Sequence, residues 1–149
     1  NREGVLPTLS CAGNPVVAFD AEHLRRVLIN LLDNALRHAG TSAESIQVVT
    51  MASDGGGVSL AVWSDGEPME PSVERHLFEP FFSSQSRSTG LGLYICRELC
   101  AGHGASIGFS RTRRKVSGTP VTGNEFCIRF AQLRSQGGAQ PSEKIVRSP

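Results

Sequence analysis

Apolar residues recur at helical intervals from about Ala21 to Ala39, with Leu24, Leu28, Leu31, Leu32, Ala35 and Ala39 on one face and Gly40 as a stop signal. This predicts a long amphipathic helix. The period then changes. Ile46 to Ala52 and Val58 to Trp63 read as strands, the second alternating Val58, Leu60 and Val62, and the turn Asp54-Gly55-Gly56-Gly57 between them predicts an antiparallel hairpin. Upstream, Val5 to Ser10 and Val16 to Asp20 flank Gly13-Asn14-Pro15 and predict an opening hairpin. Pro71 suits the start of a short helix through about Phe78, and Glu79 to Ser88 is polar and irregular, as a lid-like loop would be. Gly90-Leu91-Gly92 opens a second long helix to about Cys100 or Ala101, followed by strands near Ala105 to Ser110 and Glu125 to Ala131. Arg111 to Gly123 between them reads as a basic, solvated connection.

Hairpins mixed with helical crossovers predict an α/β fold, a two-layer sandwich whose mixed sheet is covered on one face by helices. The other face is then partly exposed or used by a neighbour. Residues 1–133 are expected to form one domain. After about Leu133 the chain turns to Gln, Gly, Ser and Pro, so 134–149 reads as a flexible polar tail.

Composition narrows the options. With 149 residues, 39% of them hydrophobic, the chain can bury one sizeable core. Lys+Arg 15 against Asp+Glu 14 gives a net charge of +1, so no basic excess points to nucleic acid or an anionic membrane, and neither is expected as a partner. No apolar run approaches the roughly 20 residues of a membrane span. Asn1-Arg2-Glu3-Gly4 has neither an initiator Met nor a signal-peptide pattern, which suggests a piece of a longer protein. Cys11, Cys96, Cys100 and Cys127 lack zinc-ribbon or disulfide spacing and are expected to be reduced thiols of a cytoplasmic domain.

On the first long helix, Asn30, Asn34 and Arg37 recur at four- and three-residue steps, and His23 and Arg26 share their stripe nearly opposite the leucines. Asn competes with the helix backbone, so two of them one turn apart mark either a tolerant surface or a ligand site. Their carbonyl oxygens suit a Mg²⁺ already neutralised by phosphates, and Arg37 suits a phosphate oxygen. Gly90-Leu91-Gly92 is a second phosphate clue, because glycines admit a ligand close to the backbone and the following helix points free N–H groups at an anion. The sequence has no G-x-x-x-x-G-K-[ST] run, and Ile95 stands where a dinucleotide fingerprint needs its third glycine.

Four segments then fall in a telling order: LINLLDNALRHAG (28–40), SDGEPM (64–69), HLFEPFF (76–82) and STGLGLYICREL (88–99). They resemble the N, G1, F and G2 boxes of the ATP-binding catalytic domain of bacterial sensor histidine kinases, within the wider class shared with gyrase B, HSP90 and MutL. The G2 run is also similar to sensor kinases that control type IV pilus genes. The resemblance covers about residues 5–131 and implies a Bergerat-type ATP-binding fold with ATP and Mg²⁺ as cofactors. It implies a nucleotide site of Asn30, Asn34, Arg37, Ser64, Asp65, Gly66, Thr89, Gly90, Leu91, Gly92 and Leu93. Asn34 is implied as the Mg²⁺ ligand with Asn30 as its polar partner, and Phe78, Phe81 and Phe82 as an anchor for the lid. As a protein-histidine kinase, such a domain would donate the γ-phosphoryl group of ATP to a histidine on a separate helical dimerisation domain, and a response regulator would receive it indirectly. None of His23, His38, His76 and His103 lies in an acceptor context, so the chain alone is not expected to autophosphorylate. The sensor as a whole would be membrane-anchored, this domain being cytoplasmic.

Departures at Ser64 and at Pro68, which stands where the family has its second G1 glycine, motivate an alternative. The family's G1 pattern D-x-G-x-G is here Ser64-Asp65-Gly66-Glu67-Pro68, so a neutral hydroxyl stands where a carboxylate usually meets the adenine amino group. Ser88 also replaces the first glycine of the G2 run. A degenerate regulatory module with weak or no ATP binding is the second reading. A hydrolytic clamp is the third, disfavoured because Asn30 occupies the position of its general base.

Overall fold

The computed structural model describes residues 7–11, 15–53, 55–82, 91–132 and 146–147. Five strands, β1 (Thr8–Cys11), β3 (Ile46–Ala52), β4 (Val58–Ser64), β5 (Ser106–Val116) and β6 (Thr119–Arg129), form one mixed sheet in the order β1-β3-β4-β6-β5. Helices α1 (Ala21–His38) and α3 (Gly92–Gly102) supply the second layer, and α2 is the single short turn Pro71–Arg75. The predicted two-layer α/β fold is what forms.

Helix α1 forms where its spacing predicts. Asp20 caps it by accepting a hydrogen bond from His23 N at 3.0 Å, and Arg37 and His38 place cations in the last turn, where the helix dipole favours them. Val27, Leu31 and Ala35 are buried against Ile46, Leu60, Val62, Phe126 and Ile128 of the sheet, with Cys96 and Cys100 of α3 in the same core. Pro71 begins α2 as expected, but the helix stops at Arg75, earlier than Phe78.

The opening hairpin does not form. Strand β1 pairs in parallel with β3, from Thr8 opposite Gln47 to Cys11 opposite Thr50. A parallel pair needs a long crossover, and α1 provides it, so β1-α1-β3 is a β-α-β unit. Ala18–Phe19 (β2) pairs instead with Val146–Arg147 (β7), a two-residue parallel ladder within the stretch that reads as tail. The turn residues Gly13 and Asn14 lie outside the described residues. The antiparallel pairing of β3 with β4, by contrast, follows the sequence reading from Ile46 opposite Ser64 to Ala52 opposite Val58.

The basic connection is also corrected. Strands β5 and β6 run through Arg111 to Gly123 as a continuous hairpin closed by Ser117 and Gly118, whose φ of 51° and 84° give the left-handed two-residue turn that matches strand twist. The distal half folds back over the sheet. Lys115 on β5 accepts a hydrogen bond from Gln47 Nε2 of β3 at 2.8 Å, although two strands lie between them in the sheet. Trp63 Nε1 of β4 donates to Thr112 O at 3.1 Å, and Ser117 N donates to Glu44 Oε1 at 2.7 Å. Successive strand residues face opposite sides, so Trp63 lies on the face away from the helices, next to inward-facing Val62. It is fully buried all the same, under this hairpin. The second face of the sheet is thus partly covered by the chain itself.

The four cysteines are free thiols, Cys11 exposed and Cys96 and Cys100 buried. Burial, with a smaller contribution from neighbouring Cys100, pushes the Cys96 thiol from an ordinary 9.0 up to about 12, and burial pushes Cys100 up to about 11. Both stay neutral in the folded chain where an unfolded chain ionises them. Their contribution to stability is therefore complete below pH 9.0 and is lost as pH rises from there through the folded values. The urea midpoint is expected to fall as pH passes 9.0, and to fall less steeply in Cys96→Ala. Equal pH dependence in the two proteins would show that the thiols are not responsible.

Candidate nucleotide-binding site

Helix α1 touches both halves of the predicted site. Near its middle, Asn30 Oδ1 packs against the start of α3, so closely that a Cβ added to Gly92 would lie 3.3 Å from it. Asn30 also hydrogen-bonds the Cys96 thiol one turn further along α3, and Cys96 Sγ meets Val27 O at 3.7 Å. Gly92 thus lets the two helices approach closely, and a side chain there would have to shift the Asn30 amide. Asn30 and Asn34 are half-buried, and for Asn30 these contacts rule out a merely solvated face. Leu91 begins α3 without a side-chain cap, and the first intrahelical bond runs from Ile95 N to Leu91 O at 2.8 Å. Leu91, Gly92 and Leu93 thus sit at a helix start suited to an anion. Thr89 and Gly90, with most of the predicted lid, lie outside the described residues.

Arg37 is held on its own helix by Asp33, Nη2 to Oδ2 at 2.6 Å. His23 and Arg26 are exposed and line a groove of about 430 Å³ with Glu22, Arg25, Ile29, Asn30 and Ile95, beside the first half of α1.

The other half of the site lies at the C-terminal end of α1. Ser64 ends β4 and is only 4% exposed. Asp65 has already left the strand, and its carboxylate accepts hydrogen bonds from Gly40 N at 2.8 Å and Ser45 Oγ at 2.9 Å. It fastens the loop after α1 to the end of β4. A Cβ on Gly66 would lie 2.8 Å from His38 O, so that turn accepts no side chain.

Two residues here escape the sequence reading. Arg111 Nη1 donates to Gly66 O at 2.8 Å and to Asn124 Oδ1 at 3.0 Å, and Asn124 Nδ2 donates to Glu67 O at 3.0 Å. Side chains that serve distant backbone carbonyls have no periodic signature. A polar residue in a strand otherwise alternating Phe126 and Ile128 inward was the available signal for Asn124.

The aromatic segment divides. Phe78 packs edge-on to Phe126, with centroids 6.0 Å apart, and Phe82 meets His76 at 5.4 Å. Phe81 is 78% exposed. The histidines have local partners: His23 Nδ1 and His103 Nε2 lie 2.9 Å apart, and His76 Nδ1 lies 2.8 Å from Glu79 Oε2. Among the described residues no helix is long and apolar enough to cross a membrane.

Comparison with known proteins places the chain in a family. Residues 19–134 match the family described as histidine kinase-, DNA gyrase B-, and HSP90-like ATPase. The sensor protein kinase PilS of Pseudomonas aeruginosa is 37% identical over 126 residues, covering 83% of this chain and 22% of that protein. The C4-dicarboxylate transport sensor protein DctB of Rhizobium meliloti is 38% identical over 84 residues, 56% of this chain and 14% of its own. The chain thus spans about a fifth or less of these relatives. Among solved structures, the catalytic domain of histidine kinase ThkA aligns with a TM-score of 0.69 at 26% identity, over 87% of this chain and 80% of that one. Full-length ShkA in complex with AMPPNP aligns at 0.67 and 26%, over 89% of this chain and 27% of its own. The chain belongs to the histidine kinase-, DNA gyrase B- and HSP90-like ATPase family, and its relatives within it are sensor histidine kinases.

Proposed function

We propose that this chain is the phosphoryl-donor module of a sensor histidine kinase, which binds Mg-ATP and presents its γ-phosphoryl group to a histidine on a helical dimerisation domain. The observation that carries the reading is the contact of Asn30 with Gly92, which joins the asparagine helix to the glycine-led start of α3. From Asn30 to His38, beside the Ser64 turn, α1 rises about 12 Å at 1.5 Å per residue, room for a nucleoside triphosphate laid along it.

The residues suit both cofactors. Asn34 offers a neutral carbonyl oxygen, a hard ligand for an octahedral Mg²⁺ that keeps several waters, and Asn30 orients from one turn earlier. When bound, Mg²⁺ would neutralise phosphate charge and ATP would supply the group transferred. The opening amides of α3, at Gly92 and Leu93, would receive phosphate oxygens. Ser64 would accept a hydrogen bond from the adenine amino group, Asp65 would hold Ser64 in place through Gly40 and Ser45, and Gly66 would keep the approach open. Arg37 would meet a phosphate oxygen from beside its ion pair with Asp33. Thr89 and Gly90 complete the proposed set. Exposed Phe81 offers an apolar contact for the dimerisation domain of the same protein, from which a response regulator would take the phosphoryl group.

Calorimetric titration of an ATP analogue is expected to give saturable, one-site binding that disappears when Mg²⁺ is chelated. No binding at millimolar nucleotide would sink the reading. Labelled ATP is not expected to mark this chain; the label should appear on the acceptor domain's histidine once that domain is added.

A further inference from the structure

We infer that Arg111 and Asn124 are positioning residues that clamp the turn after β4 and so set how selectively the base of a nucleotide is held, an inference that rests on Ser64–Gly66 being the adenine end of the site. Arg111 lies in β5 and Asn124 in β6, both far from the family-like segments in sequence. Together they bind the two successive carbonyls of the turn, Gly66 O through Arg111 Nη1 and Glu67 O through Asn124 Nδ2. Arg111 spans a third point, Thr122 O, through Nη2 at 3.3 Å. The clasp is built in: Asn124 is 4% exposed and is the cross-strand partner of Ser64.

Beneath it the backbone is packed to the limit. A Cβ on Gly123 would collide with Ser64 O, so β6 and the end of β4 meet at a distance only glycine permits. A carboxylate attracts an amino group over a range of positions, whereas a neutral hydroxyl such as that of Ser64 gives a single short-range bond whose worth depends on placement. Base recognition in this chain therefore depends on how firmly Ser64 and the turn after it are fixed, and the clasp holds that turn on the side away from the Asp65 ties to Gly40 and Ser45.

The test compares Mg-ATP with Mg-GTP, which share their triphosphate and differ at the base. Dissociation constants would be measured by calorimetry for the unaltered chain, Arg111→Ala and Arg111→Lys, with a thermal melt of each. The expected result is a preference for ATP in the unaltered chain, a loss of about tenfold in ATP affinity in Arg111→Ala with the ATP-to-GTP ratio moving toward one, and partial return in Arg111→Lys. An unchanged ratio in Arg111→Ala overturns the inference while leaving the nucleotide-binding reading intact. If Arg111→Ala does not fold, an unchanged ratio in Arg111→Lys overturns it. Failure of the unaltered chain to bind either nucleotide removes the reading and the inference with it.

Discussion

Replacing Trp63 with alanine is expected to lower folding stability by about 3–5 kcal/mol, the range for deleting a fully buried large aromatic side chain. The site is unusual for so large an effect, because Trp63 lies on the sheet face away from the helices and is covered by the β5–β6 hairpin. Its ring packs against Gly123, where an added Cβ would come within 2.6 Å of Cζ2, and its Nε1 fixes Thr112 O. Removal takes away the anchor on which the hairpin folds back. Trp63→Phe keeps most of the packing but gives up the hydrogen bond, and should cost about 1 kcal/mol for that bond alone. Urea unfolding followed by circular dichroism measures both. A loss under about 1 kcal/mol in the alanine variant would mean that the hairpin is held elsewhere.

Asn34→Ala should act in the opposite way on stability and on function. Loss of a metal-orienting group commonly costs 10–100-fold, so if Asn34 is the Mg²⁺ ligand proposed above, its loss is expected to lower phosphoryl transfer to an added acceptor domain by at least about 100-fold. The fold should not suffer. Alanine is the better helix former by up to about 0.7 kcal/mol, and Asn34 is only half-buried in the middle of α1. Transfer assays with labelled ATP, paired with a thermal melt, separate the two effects. Full transfer by Asn34→Ala would remove this residue from the proposed metal site, and a collapsed melting curve would show that its role is in folding.

The sequence was most informative where one periodicity ran long enough to average out local preference. Helix α1, with five turns of apolar spacing and clear start and stop signals, and the β3–β4 hairpin, with its glycine turn, formed as read. Strand β1 has four residues, all exposed, and so short a run does not specify which neighbour it pairs with. Its partner is set by the βαβ crossover, which local turn chemistry does not reveal. The distal β5–β6 hairpin was hidden by its composition, since Arg111 to Lys115 puts charge on strand positions and leaves little apolar alternation. In the candidate site, the asparagines and the glycine at 92 were legible because their residue types carry their chemistry. The tie of Asp65 to Gly40 and Ser45, and the clasp of Arg111 and Asn124, were not, because each is a contact between parts of the chain more than ten residues apart.

The same run of cations has a consequence for how copies of this chain meet in a crowded solution. An open sheet ends in two rows of backbone donors and acceptors, each a template on which another chain can add a strand. At one rim β1 is too short to support a stable addition. At the other, β5 is eleven residues long, and while Arg111 and Arg114 are turned onto Gly66 and Glu125, Arg113 and Lys115 stay exposed, so that a second identical strand would set like charge against like. Brevity at one border and like charge at the other both disfavour strand-to-strand addition between copies.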